Sequence, residues 1–433
     1  MRRTVAAGSS MFRMRFVWLL LLATPWLRAQ HDMSGMPGME KMPGMDMPGM
    51  HHESSPMEAS GTSRNPASAP MDMVMFSEGG WSFMAHGVAF VADTQQPGLR
   101  GGDKLFSASW FMGEAAHKLG GGTLRVRTML SLDPATITGG RYPERFQTGE
   151  TLHGVPILDG QHPHDFLMEL AVEYSRRLGH GTNLTLYAAP VGDPALGPVA
   201  FPHRVSAAEL PQATLGHHLE DSTHISNEVV TAGITHGTFG FEASGFHGGE
   251  PNENRWNIDH GAVDSWSVRF TVAPGANWSG QVSMGKLAHP EALEPGDQVR
   301  TTASVSYNRP YGGGNWATSV IWGRVHKTGD GVNLNGYGLE SVARFQGRNY
   351  VTGRVELVDK NELFASGSPL YGQSFRVGAY TAGYTRDFPL ISRLATGLGV
   401  NFTVYSLPGQ LQPSYGSRPA GVMVFFRVRL RES

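Results

Sequence analysis

The chain has 433 residues, no cysteine, 56 glycines and 17% charged side chains, which excludes a disulfide scaffold, a thiolate metal centre and a highly charged disordered polymer. Thirty-five basic and 37 acidic side chains are interspersed, with no basic block to neutralise a phosphate backbone, so nucleic acid is not an expected partner. The length admits two or three soluble domains or one large barrel.

At the amino end, Arg13 and Arg15 precede the apolar run 16–22, and a polar stretch begins near Gln30. This reads as a secretory signal over 1–29, too short for a permanent span. With no cysteine behind it, no lipoprotein attachment is expected.

Residues 30–75 change composition. Eleven of the 20 methionines fall between 31 and 75, and Met36-Pro37-Gly38-Met39, Met42-Pro43-Gly44-Met45 and Met47-Pro48-Gly49-Met50 repeat one unit. Proline and glycine in each copy interrupt helix and strand alike, so the methionines cannot form a core stripe and a disordered arm is expected. Thioether sulfur is a soft neutral donor for Cu(I) that survives an oxidising compartment, and imidazole adds affinity for Cu(II). The expected metal ligands are His31, Met33, Met36, Met39, Met42, Met45, Met47, Met50, His51 and His52, with copper or silver as the ion and no organic cofactor. The plainer reading is a linker of biased composition. Residues 54–70, rich in Ser, Pro, Ala and Gly, read as a tether.

From Trp81 onward, period-two alternation outcompetes helical periodicity in segments of 10–15 residues. It predicts sixteen strands, at 81–92, 104–118, 121–133, 164–178, 181–191, 225–236, 238–248, 261–273, 276–288, 299–309, 314–327, 336–346, 349–360, 373–387, 391–405 and 421–431. Tight links at 120–122, 179–181, 237, 274–275, 310–313, 347–349 and 388–390 alternate with long ones, such as 134–163 and 192–224. Short periplasmic turns facing long external loops are the signature of a transmembrane barrel, so 76–433 is expected to be an all-β, antiparallel outer-membrane β-barrel of about 16 strands.

The faces point the same way. Leu124, Val126, Leu130 and Leu132 alternate with Thr123, Arg125, Arg127 and Ser131; Phe375, Val377 and Ala379 alternate with Ser374, Arg376 and Gly378. Val422, Val424, Phe426, Val428 and Leu430 oppose Arg427, Arg429 and Arg431. Arginines are costly in lipid and natural in a wet lumen. Trp81, Phe239, Trp278, Trp316 and Tyr350 fall at the start of upward strands, where an aromatic girdle belongs.

Two long links carry a polar cluster: His162, His164 and Asp165 in the first, and His203, Arg204, His217, His218, Asp221 and His224 in the second, with Glu209 and Glu220 beside them. A transition-metal site, an ion-selective constriction and a structural hydrogen-bond network all remain open for them. Asp221-Ser222-Thr223-His224 raises an outer-membrane hydrolase as a minor alternative, but sequence proximity does not make a nucleophile, and no enzyme is expected. Glu253, Arg255, Asp259 and His260, then Asp264, Arg269, Glu340, Arg344, Arg354, Glu356 and Lys360, mix both signs and predict paired lumen walls of modest selectivity.

A signal peptide, an acidic Met/His-rich arm with Met-Pro-Gly-Met repeats, a short tether and a terminal barrel together resemble the B-type outer-membrane copper resistance proteins. The stretches Gln161 to Asp165, Pro202 to Arg204 and Asp221 to His224 make the body look more like a porin-like group of outer-membrane proteins. The first resemblance implies copper binding in the periplasm by Met36, Met39, Met42, Met45, Met47 and Met50. The resulting expectation is an outer-membrane porin-like protein of copper binding, tolerance or passive metal passage, with its arm in the periplasm. Its partners would be membrane lipid, copper or silver ions and periplasmic metal-handling proteins, and either a monomer or a trimer fits. A general solute porin with an incidental arm is the alternative.

Overall fold

The computed structural model describes residues 59–431. The signal segment and the arm ligands His31 to His52 lie outside the described residues. From Met73 the chain forms one antiparallel sheet of strands β1 (Met73–Glu78), β2 (Trp81–Gln96), β3 (Gly102–Leu119), β4 (Gly122–Leu130), β5 (Leu167–Gly179), β6 (Thr182–Gly192), β7 (Ser226–His236), β8 (Phe239–His247) and β9 (Ser265–Gly275). It continues through β10 (Trp278–Leu287), β11 (Gln298–Tyr311), β12 (Gly314–Lys327), β13 (Asn333–Phe345), β14 (Asn349–Lys360), β15 (Phe375–Ile391), β16 (Leu394–Ser406) and β17 (Ala420–Leu430).

Each strand from β2 to β16 pairs with its successor, and β17 returns to β2 through Val88↔Arg429 to Gln95↔Val422, closing a wall of sixteen. Closure leaves no open edge except at β1, a short strand that pairs with the first residues of β2, from Met73↔His86 to Glu78↔Trp81. All sixteen predicted strands are found. The strand missed is β1, hidden in the composition of the arm. The tight link expected at 388–390 lies inside β15, and the turn falls at Ser392 and Arg393.

Every short turn lies at one rim, with the start of β2 and the end of β17, while the connections at the other rim include 131–166 and 193–225. Outward residues form an apolar belt: Val126, Val172, Ile234, Phe270, Val282, Val320, Leu339, Val351, Val400 and Val424 are all exposed. A soluble protein cannot leave so continuous a belt in water, whereas a bilayer covers it. Phe239, Trp278 and Trp316 are exposed near the short-turn rim, as a girdle requires. Tyr350 corrects that expectation: it is buried, donating its hydroxyl to Asp387 at 3.0 Å under the Arg427 guanidinium.

The interior is not an open tube. The loops 131–166 and 193–225 fold inward, and buried charge pairs line their contact with the wall. The last strand behaves as predicted, with Val424 exposed and Arg427 fully buried between Glu209 and Asp387. In β15 the expected faces are reversed. Phe375, Val377 and Ala379 are buried on the inside, where Phe146, Leu215, Leu219, Leu411 and Tyr415 from the inward loops pack against them. Arg376 is outside, bound to Asp359 at 2.8 Å. Alternation fixes two faces but not which is wet, and here loops supply an apolar core on the lumen side.

Residues 59–70 are no free tether. Gly61 donates its amide to Glu169 at 3.1 Å, Ser60 its hydroxyl to Asp193 at 2.7 Å, and Arg127 reaches the Gly61 carbonyl at 2.8 Å. Thr62 accepts from Arg269 at 2.8 Å, and Ser68 pairs with Asn308. Small residues with unencumbered backbone groups let this segment lie along the wall inside the lumen and satisfy buried charges there.

Candidate functional site

Glycines in the wall make room for the loop that carries most of the site. A Cβ at Gly323 would strike the Leu219 carbonyl, and one at Gly336 would meet Glu220 and Leu219. The short helix His217–Glu220 is seated in that niche. Gly149 lies equally close to the His218 ring. The nine polar-cluster residues predicted from the two long links all lie on the inward-folded loops, and all are buried except His162 and His164, which are nearly so.

Three layers can be distinguished. In the first, rings of His162, His217 and His218 lie 5.1–6.3 Å apart between centroids, and each brings a nitrogen to within 4.8 Å of the other two. Glu150 Oε1 is 3.3 Å from His162 Nε2, and Glu250 Oε1 is 3.5 Å from His218 Nδ1. Glu250 and Glu291 form an equally tight group with His218.

In the second layer, His164 and His224 have ring centroids 5.6 Å apart, with Phe201 against both. His164 Nδ1 lies 2.9 Å from Asp133 Oδ2, and His224 Nδ1 lies 2.8 Å from the Asp221 carbonyl.

The third layer is a row of soft donors. Strand register sets Met73 opposite His86, His86 opposite Met112, and Met112 opposite Met129, so these side chains share the lumen face of β1–β4. His86 Nε2 is 3.0 Å from Met112 Sδ, and His203, from the inward loop, brings Nε2 to 3.1 Å from Met129 Sδ. Trp110 contacts both imidazoles and borders, with Phe201 and Val342, a cavity of about 160 Å³. Sequence reasoning missed this row because its members are scattered through 73–129; only the parity of each within its strand signals the shared face.

Around these layers, charges neutralise one another. Glu340 receives Arg204 from the loop and Arg354 from the neighbouring strand at 2.9 and 3.0 Å, and Arg204 also holds Asp221 at 2.7 Å. Burial alone would push Asp221 up, but Arg204 and His217 outweigh it and hold its carboxyl well below the usual carboxylate range. Burial, then the Asp221 carboxylate, raise Glu220 to about 8. Burial lowers His217 to about 4 and His224 to about 3, and takes His162 well below its ordinary value with help from Arg255. These imidazoles are neutral at pH 7.

The serine suggested as a nucleophile is engaged otherwise. Ser222 donates to Glu250 at 3.3 Å and accepts from Arg300 at 2.8 Å.

A closed sixteen-stranded wall with an apolar outer belt and charge-paired interior defines a porin-like barrel of an outer membrane. No protein-family model and no curated protein matches the chain. Among solved structures it is similar to the anion-selective porin from Comamonas acidovorans, at 15% identity and a TM-score of 0.48, over 81% of this chain and 100% of that one. It is also similar to Salmonella typhi OmpF in complex with daunomycin (8%, TM-score 0.48, covering 82% and 100%) and to Pseudomonas putida OprB (10%, 0.47, covering 81% and 94%). The fold assignment rests on the strand pairing itself.

Proposed function

We propose that the protein is a constricted, passive conduit for small polar solutes and ions. The observation that carries this reading is the combination of a closed wall with a lumen whose inward loops are fastened to it by ion pairs. The purified chain in planar lipid bilayers is expected to give small, ohmic conductance steps with weak ion preference. An inability to conduct, with the barrel folded, overturns it.

A second reading, that copper or silver is among the permeants, is supported by two features. One is the arm with its Met-Pro-Gly-Met repeats, and the other is the row Met73, His86, Met112 and Met129 with His203 beside it. Thioether and imidazole together suit Cu(I). On this reading the arm gathers the ion, periplasmic metal-handling proteins exchange it, and the lumen row offers it a waypoint. Removing residues 31–58 then lowers copper tolerance without changing conductance. Unchanged tolerance leaves the general solute conduit.

A further inference from the structure

The first histidine layer has a feature that passage does not require. His162 lies with Nδ1 3.0 Å from the Pro163 carbonyl, which can only accept, so Nδ1 carries the proton and Nε2 presents a lone pair. His217 donates Nδ1–H to the Asp221 carboxylate at 2.7 Å, which likewise leaves its Nε2 bare. His162 Nε2 and both ring nitrogens of His218 are buried and make no hydrogen bond, with carboxylate oxygens of Glu150 and Glu250 standing 3.3 Å from His162 Nε2 and 3.5 Å from His218 Nδ1. A buried, unpaired imidazole nitrogen costs free energy, and three of these rings converge. A histidine whose far nitrogen is fixed by a carbonyl or carboxylate, with its near nitrogen free, is the arrangement that orients metal ligands.

We propose that His162, His217 and His218 together bind one divalent transition ion of the zinc(II) or copper(II) class in the lumen. Three imidazoles match the borderline donor preference of these ions, whereas calcium and magnesium call for an all-oxygen set. The ligand nitrogens lie within 4.8 Å of one another, somewhat farther apart than in a closed tetrahedron, and small rotations of the rings draw them in. The ion would tie loop 131–166, which carries His162, to loop 193–225, which carries His217 and His218. The site stands independently of the passage reading, since it binds whether or not the lumen conducts.

The test uses the full mature chain refolded in detergent, with His31, His51 and His52 changed to alanine so that the arm's imidazoles do not compete. Zinc(II) and copper(II) are titrated in parallel, and cobalt(II) serves as the optical probe of a tetrahedral nitrogen-rich site. The expected result is one zinc(II) per chain, an intense cobalt d–d spectrum, and an affinity loss of about 100-fold or more in His162→Ala and in His218→Ala. Heat-modifiable gel mobility verifies that each barrel is folded, and His162→Gln serves if an alanine variant is not. Absence of stoichiometric zinc and copper binding by the folded chain overturns the proposal, as does equal affinity in the variants. Bilayer conductance measured on the same preparations separates failure of this site from failure of the conduit.

Discussion

Arg204 and Glu340, 136 residues apart, form a two-pronged ion pair, with Nε to Oε2 at 2.9 Å and Nη2 to Oε1 at 3.2 Å, and both side chains are almost completely buried. One partner rides on the loop that fills the lumen and the other on β13, so this pair fastens the constriction to the wall. Glu340→Gln removes the charge that Arg204 and Arg354 share. Breaking a buried pair by neutralising one partner costs about 3–5 kcal/mol. The expected outcome is a lower unfolding midpoint in detergent together with larger, noisier conductance steps.

Seating of the same loop is tested sterically at Gly323. A valine there collides with the Leu219 carbonyl, and the helix His217–Glu220 must lift from its niche. Gly323→Val is expected to raise single-channel conductance while the barrel stays heat-modifiable. Unchanged conductance would mean that the loop does not set the bore.

Glu220 gives a pH dependence with a definite sign. Burial and then Asp221 raise it from 4.5 to about 8, so the folded state holds a proton that the unfolded chain releases. Between those two values the folded form binds more protons, and stability falls as pH rises. Unfolding midpoints at about pH 7 and about pH 8.5, a window above the titration of the buried histidines, should therefore differ in favour of the lower pH. Glu220→Gln should shrink that difference.

The lumen segment is tested at Gly61, whose φ of 56° disfavours a side chain and whose Cβ would run into Asp193. Gly61→Val should release residues 59–70 from the lumen, seen as new protease cleavage in that stretch and a rise in conductance. Protection equal to the parent chain would show that the segment tolerates the clash.

The outer belt predicts the opposite asymmetry to the lumen. Val320 is 57% exposed on the lipid face, and Val320→Arg should cost about 2–4 kcal/mol of stability in lipid vesicles if it lies near the midplane. Equilibrium unfolding from vesicles measures it.

Much of this architecture is legible in the sequence because strand alternation and turn glycines are local signals. The sixteen strands fall within a few residues of their predicted bounds, and Arg127 and Arg427 face inward as their parity requires. What is not legible depends on where loops go. The face of Phe375, Val377 and Ala379 is reversed because Phe146 and Leu219 arrive from distant loops to bury it. Tyr350 leaves the girdle because Asp387 and Arg427 offer its hydroxyl and ring better partners. The histidines of the two long links stand out as a polar group, but their convergence, and the entry of Glu250, need both loops to turn into the lumen. Apart from Arg64 and Asn65, residues 59–70 carry small side chains, so little local marks them as wall-bound.

The short strand β1 bears on how the wall is sealed. It already occupies the edge of β2 from Trp81 to His86, and β17 takes up the same edge from Val88 onward. Strand β17 therefore meets a doorstop: it cannot slide past His86 without evicting β1. A two-residue slip toward β1, which would keep each side chain on its own face and so escape any hydrophobic penalty, is blocked by this end-to-end abutment, and β1 limits the stagger of β17.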